Sequence, residues 1–292
     1  MRSHLRPITL LALLTVIGVL IAACGDDEES SDDGGETAAA SGDASIETPA
    51  ILDEAGGLVI CADMTYPPLT FIEDNEPTGV DVDLANRLSE LMGTEAEFTQ
   101  TGFPGIIAAL QSGKCDAIMN GMNVDAERDK EIDFVIYAQA SQTFMVNTDQ
   151  AGEYSTIEDF SGADVGVQVG STNRKFLEET NVELEGDGVE PINVVEFPKD
   201  PDAISALQAG NLDAYFADIA VTSYYETENP EQFTSTDIAL NPIPYGIGLR
   251  EDEDELEQAL QEGVDTLYED GEVQAILDEW NMGEKAHREE ES

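Results

Sequence analysis

Two stretches of the chain, ALQSGKCDAIMNG (Ala109 to Gly121) and ALQAGNLDAYFAD (Ala206 to Asp218), repeat one helix–glycine–strand unit 97 positions apart. They differ where chemistry is possible: the first ends in Asn120-Gly121, the second in Ala217-Asp218. Past the first unit, Arg128 follows Asp125 by one turn, and a further helix opens at Ser171-Thr172 after Gly170. With only 12 Lys+Arg against 63 Asp+Glu, a cation beside a strand end is informative. A guanidinium presents a planar fork to a carboxylate. A helix start presents backbone N–H groups to an anion, and a strand-end carboxylate accepts an ammonium. Buried together, these groups suit a small molecule carrying both charges, because neither charge leaves water without a partner.

The elements that would position them alternate short apolar runs with amphipathic helices, the pattern of parallel α/β units. LVICAD reads as a strand, VDLANRLSELMG as a helix stopped by Gly93, EAEFTQT as a strand, GIIAALQSG as a helix and CDAIMN as a strand. Asp125 is then expected to cap a helix through AERDKEI. A second set follows: ADVGVQVG, STNRKFLEET, PINVVEF, PDAISALQAG and LDAYFAD. Two such sets predict two lobes, each with its own small sheet. The positions the repeats share read as packing (Leu110, Leu207), helix ends (Gly113, Gly210) and local turn bonds (Asp116, Asp213). Ligands of open α/β sheets sit beyond the carboxyl ends of the strands, so function lies where the repeats differ.

The 292 residues open with basic MRSHLRP and an apolar run ending Ile21-Ala22-Ala23-Cys24. That run resembles a lipoprotein signal peptide over residues 1–23, which implies cleavage before Cys24 and lipidation of its sulfur. Residues 24–50 are acidic and rich in Gly, Ser and Ala, and are expected to form a disordered tether. Residues 286–292 read as a disordered acidic tail. The net charge of −51 is spread along the whole chain, as on a surface adapted to salt, and no basic patch exists for nucleic acid. Cys61 is expected near the end of its strand and Cys115 at the start of its own. On that placement the pair is out of disulfide reach, and two free buried thiols are expected.

The region from Gly57 to Gly283 resembles the extracellular solute-binding proteins, family 3, of polar amino-acid ABC importers. The resemblance is carried by ADMTYPPLTFIEDNEPTGVDVDLANRL, FPGIIAALQSGKCDAIMNGMNVDAERDKEIDF, EDFSGADVGVQVGSTNRKF, LDAYFAD and GEVQAILDEWNMG. It implies the α/β type II periplasmic-binding-protein fold, two lobes joined by a two-strand hinge with the ligand cleft between them. Lobe one would be discontinuous (51–141 and 244–285) and lobe two would span 142–243, with crossings near Gln139–Val146 and Pro242–Leu249. Arg128 matches the arginine that grips a ligand carboxylate, and Ser171 and Thr172 match the segment adding N–H donors there. Asp218 matches the aspartate that receives the ammonium, with the Gly121 carbonyl beside it. Tyr66 and Phe103 match the aromatic pair around the ligand side chain, and Asp63 an aspartate at its far end. Asn123 stands where Ser or Thr is usual, flanked by Asn120, and both can bond an ammonium. Asp125 replaces the usual Thr, and FVIYAQASQT lacks the family's Ser-Asp-Pro-Tyr.

The expected function is a monomeric, membrane-tethered receptor at the extracellular face (the periplasm where there is an outer membrane). It would deliver a polar amino acid to an ABC permease by hinge closure. Two rivals share the fold: a periplasmic-type dehydratase, for which no His or Lys could be placed in the cleft, and a binder of a related zwitterion such as ectoine. No metal-ligand spacing, phosphate loop or nucleophilic triad is present, so no cofactor is expected. Plain alternatives exist for the two charges: Arg128 as a surface partner of Glu127 or Glu131, and Asp218 as the cap of the IAVTSYY helix.

Overall fold

The computed structural model describes residues 45–240, 242–283 and 286–287. The expected leader, the expected lipidation site at Cys24, the expected tether up to residue 44 and the expected tail beyond 287 lie outside the described residues.

One sheet runs in the order Ala286–His287, Asp133–Ala140, Ile243–Leu249, Ala117–Ile118, Leu58–Ala62, Ala96–Gln100. A second runs Asn193–Phe197, Asp164–Gln168, Ala214–Asp218, Gln142–Asn147, Phe233–Ser235. Within each sheet the α/β units supply parallel pairs, Leu58–Ala62 with its two neighbours and Asp164–Gln168 with its own. The chain passes from the first sheet to the second at Ser141, the single residue between Asp133–Ala140 and Gln142–Asn147. It returns between Ser235 and Ile243, so two segments connect the lobes.

The helices form for the reasons their patterns give. Val80–Leu91 buries Val80, Leu84, Ala85 and Leu88 along one stripe, and Gly93 beyond it takes a φ of 69°. Asp254–Glu269 buries Leu256, Leu260, Val264 and Leu267 in the same way. Trp280 Nε1 donates to Asp83 Oδ2 at 2.7 Å, which ties the C-terminal helices to the first lobe. In the second lobe Phe144 stacks between Phe160 and Phe216, with ring centroids 4.1 and 4.4 Å away.

The repeat proves to be a strand clamp. Asp116 N donates to Val59 O (2.7 Å) while Val59 N donates to Asp116 Oδ2 (3.0 Å). Asp213 and Asp164 make the same reciprocal pair in the second lobe, at 2.9 and 2.8 Å. These aspartates bond across to the neighbouring parallel strand instead of within their own turn.

Several expectations are corrected. Cys61 and Cys115 form a disulfide with Cα atoms 5.7 Å apart. The CDAIMN strand shrinks to Ala117–Ile118, so Cys115 lies in the connection before it and crosses to Cys61. AERDKEI makes only a single 3-10 turn at Arg128–Lys130, because the strand from Asp133 claims the chain directly after it. Residues 45–50 are docked, not loose: Ser45 N and Ile46 N donate to Leu91 O at 3.0 and 3.1 Å, and Ile46 is buried. Ala286–His287 adds an antiparallel strand beside Ala140 and Gln139 instead of joining the tail.

Candidate functional site

The loop from Asn120 to Asp125 is held on the returning strand, where Gly246 N donates to Met122 O (2.9 Å) and Val124 N to Pro244 O (2.8 Å). Gly121 needs its residue type: at φ 55° an added Cβ would sit 2.9 Å from Leu69 Cγ and 3.4 Å from Tyr66 Cε1. Its N–H donates to Asp81 Oδ2 at 2.6 Å, and Tyr137 OH donates to Asp81 Oδ1 at 2.7 Å. Burial lifts the Asp81 carboxyl to about 6, although these two bonds oppose the rise.

From this loop Arg128 reaches across the cleft. Asp125 Oδ1 accepts from Glu127 N and Arg128 N, both at 2.9 Å, and so fixes the turn. The guanidinium donates to Asn123 O at 2.6 Å in its own lobe and to Gly170 O at 3.0 Å in the other. It also lies 5.4 Å from the centroid of the Phe103 ring. Arg128 is 8% exposed and makes no ion pair with Glu127 or Glu131, so the surface reading fails.

Asp218 ends its strand fully buried. It occupies the cap position of the Ile219–Glu228 helix, yet its side chain makes no cap bond. Its oxygens instead accept from Tyr245 OH (2.9 Å), Gln142 Nε2 (3.3 Å) and Asn123 Nδ2 (3.4 Å). Burial raises its pKa, while the bonds from Tyr245 and Gln142 oppose the rise. Tyr66 and Asn173 also hydrogen-bond this carboxylate and oppose the rise.

Ser171 caps its helix, with Oγ accepting from Arg174 N at 3.1 Å. Thr172 Oγ1 donates to Asn123 Oδ1 at 2.7 Å, a further direct bond between the lobes. At the rim, Lys175 Nζ lies 3.1 Å from Glu127 and 3.5 Å from Asp125. The cavity wall holds Tyr66, Phe103, Asn120, Gly121, Asn123, Arg128, Ser171 and Thr172 of the expected set. Its volume is only about 10 Å³, room for one water at most. A ligand therefore enters only when the lobes part and exchange their mutual bonds for bonds to it.

Two expected residues are not on that wall: Asp218 is bonded to the wall residue Asn123 at 3.4 Å, and Asp63 has other work. Asp63 accepts from Thr65 Oγ1 (2.6 Å) and Phe103 N (2.8 Å), and its own N–H donates to Asn120 Oδ1. Both carboxylate oxygens are thus used to brace Phe103 and the loop within lobe one, and Asp63 is not on the cavity wall.

The wall also carries Gln168, Asn173, Asp200 and Phe216, none of which the sequence had marked. Phe216 had a signal, since residues 216 and 218 share one face of a strand. Gln142 had none, because its pairing opposite Asp218 is a matter of sheet register. Asp200 opens the Asp200–Gln208 helix, reads locally as a first-turn acid and is 1% exposed. Burial, with the charges of Asp63 and Asp218 adding and Tyr215 opposing, pushes its carboxyl up to about 7. Two wall atoms, Gln168 Nε2 and Asp200 Oδ2, have no hydrogen-bond partner among the described residues.

Two α/β lobes, two connections and a buried cleft with opposite charges from opposite sides define a substrate-binding protein of the type II periplasmic class. The chain belongs to the bacterial extracellular solute-binding proteins, family 3, whose family model matches residues 58–284. It is 30% identical over 222 residues to the ABC transporter arginine-binding protein 1 of Escherichia coli K12, covering 74% of this chain and 87% of the relative. It is 27% identical over 229 residues to the L-cystine-binding protein TcyJ of the same organism, covering 78% and 83%. Among solved structures, an ancestral arginine-binding protein bound to arginine superposes with a TM-score of 0.71 at 32% identity. That match covers 77% of this chain and 98% of the other.

Proposed function

We propose that this protein is a lipid-anchored receptor that captures a polar amino acid and presents it to an ABC permease. The observation that carries the reading is the placing of Arg128 on the cavity wall and of buried Asp218, from the other lobe, against the wall residue Asn123. A carboxylate on the ligand takes the guanidinium and its ammonium takes Asp218. Gln168 Nε2 supplies a spare donor. Because the two charges sit on different lobes, the ligand binds the closed form better than the open one, which is the condition for shifting that equilibrium. The relatives' amino-acid ligands support the same reading. The Cys24 anchor places the monomer at the extracellular face of the membrane, or in the periplasm of a host with an outer membrane. The protein acts by binding, not by catalysis.

A thermal-shift screen of the common amino acids and compatible solutes, ectoine included, tests this directly. Bound ligand raises Tm by mass action, by about 2.7 kcal/mol of stability at a hundredfold excess over Kd. An amino acid is expected to give the largest shift and to be recovered unchanged after long incubation. A response to ectoine alone, or a consumed ligand, overturns the proposal.

A further inference from the structure

We propose that Asp200 selects the ligand's side chain, receiving the cationic end of a basic amino acid of the guanidinium or alkylammonium class. The inference rests on the amino-acid reading of the cleft and adds to it the class of side chain and the residue that chooses it.

The first ground is an oxygen without a donor. Asp200 is 1% exposed and on the cavity wall. Its Oδ1 accepts from Tyr215 OH, and its Oδ2 has no hydrogen-bond partner among the described residues. Buried polar atoms are almost always paired, and a carboxylate oxygen left bare in a protein interior is costly. A cleft-wall position is where a ligand can supply the missing donor.

The second ground is a count of charge. Arg128 and Asp200 are on the cavity wall and Asp218 bonds its Asn123. Of the other acids bonded to wall residues, Asp63 and Asp81 have both oxygens engaged, and Asp125 pairs with Lys175 at the rim. An amino acid's carboxylate matches Arg128 and its ammonium matches Asp218, which leaves one anion over. A neutral side chain leaves Asp200 unmatched, and an acidic one is repelled. A cationic one closes the balance.

The third ground is what surrounds the group. The helix it opens packs on the Thr65–Tyr66, Gln142–Asn147, Asp164–Gln168, Asn193–Phe197 and Ala214–Asp218 strands. The groups acting on Asp200 electrostatically are the Tyr215 hydroxyl, the carboxylates of Asp63 and Asp218, and its own backbone N–H. Tyr66 and Tyr225 feel its charge in turn, and both are neutral phenols. None of these is a cation, so the charge that would hold Asp200 ionised is one the ligand brings. Tyr66 and Phe103 on the same wall offer flat faces along which a cationic chain can lie. Asp63, the other acid near this end, has both oxygens engaged.

A carboxyl held up to about 7 is partly protonated at neutral pH. A cation beside Oδ2 favours the ionised form, so binding expels a proton and affinity rises as pH increases through this range.

Calorimetry decides the matter with two isosteric pairs, L-arginine against L-citrulline and L-lysine against L-2-aminoheptanoic acid. For the better-binding basic amino acid, wild type is expected to prefer the cation by roughly 30-fold or more, as for other buried charge pairs. Asp200→Asn is expected to bring the two members of that pair within about threefold of each other. Titrations near pH 7 in two buffers of different ionisation enthalpy are expected to show proton release with the cation and none with its neutral isostere. This measurement uses wild type alone and stands even if the variant does not fold. Equal binding of cation and isostere, an unaltered preference in Asp200→Asn, or no proton release overturns the proposal and leaves the amino-acid reading intact. Failure of every amino acid to bind overturns both.

Discussion

Arg128 and Asp218 are joined through one residue, Asn123, whose carbonyl accepts from Arg128 Nη1 at 2.6 Å and whose amide donates to Asp218 Oδ2 at 3.4 Å. The two charges that a zwitterion would separate are therefore held by a neutral bridge when the lobes bond each other directly. A bound ligand replaces that bridge with two ion pairs.

Truncating either charge leaves its opposite on the ligand desolvated and unmatched, at a cost of ~2–5 kcal/mol, or roughly 30-fold to a few thousand-fold in affinity. Arg128→Ala and Asp218→Asn are expected to lose this much by calorimetry with the amino acid from the screen. Arg128→Lys is expected to lose substantially as well, because a point charge cannot reproduce the fork. With a deamino ligand Asp218→Asn becomes nearly silent. Wild-type affinity in Asp218→Asn for the intact ligand would exclude an ammonium partner for this carboxylate.

Stability is expected to rise on mild acidification. Asp200 and Asp81 are held up to about 7 and about 6, against an ordinary value of 3.8. The folded chain takes up these protons at a pH where the unfolded chain does not. Their contribution is complete below the unfolded value and is lost as pH rises through 6 to 7. Melting curves at high, fixed ionic strength are expected to show Tm climbing from about pH 8 to about pH 5. Asp200→Asn is expected to flatten the upper part of that climb. A Tm that falls over the same range contradicts the assignment.

The Cys61–Cys115 disulfide closes a separation of 54 residues. Loop-closure entropy assigns such a crosslink about 4 kcal/mol. The double variant Cys61→Ser/Cys115→Ser is expected to lose stability of that order in denaturant titrations, and oxidised wild type to show no reactive thiol at either position. Equal midpoints for the two proteins would mean that the bridge contributes nothing.

Salt is expected to stabilise the fold. Self-repulsion at a net charge of −51 opposes compaction, and the Debye length falls from ~10 Å at 0.1 M to ~3 Å at 1 M. Tm measured from low to molar NaCl is expected to increase markedly. A flat profile removes the case for salt adaptation.

Lipidation at Cys24 is tested by fractionation. Expressed in a host that processes lipoproteins, the protein is expected with the membranes. Cys24→Ser is expected to release it or to leave the precursor uncleaved. A cleaved Cys24→Ser form that still partitions with membranes would assign the anchoring elsewhere.

What the sequence determined by itself was local order and the succession of units. The apolar stripe of Val80–Leu91, the cap at Ser171 and the glycines after each repeated helix depend on neighbours within a turn or two. The same residues can therefore be read without knowing the fold. The repeat located Asn120 and Asp218 at strand ends, and the scarcity of cations made Arg128 conspicuous. Tertiary structure decided how each charged group is used. Asp63 and Asp200 are both acids beside ends of regular elements, and nothing local separates them. The fold gives Asp63 two donors, from Thr65 and Phe103, and leaves Asp200 with one bare oxygen on the cavity wall. The disulfide likewise depended on how far the Ala117–Ile118 strand extends, and the docking of residues 45–50 on whether Leu91 lay within reach. Burial, register and the supply of donors are set by residues distant in the chain, so only the folded molecule reveals which carboxylate awaits a partner.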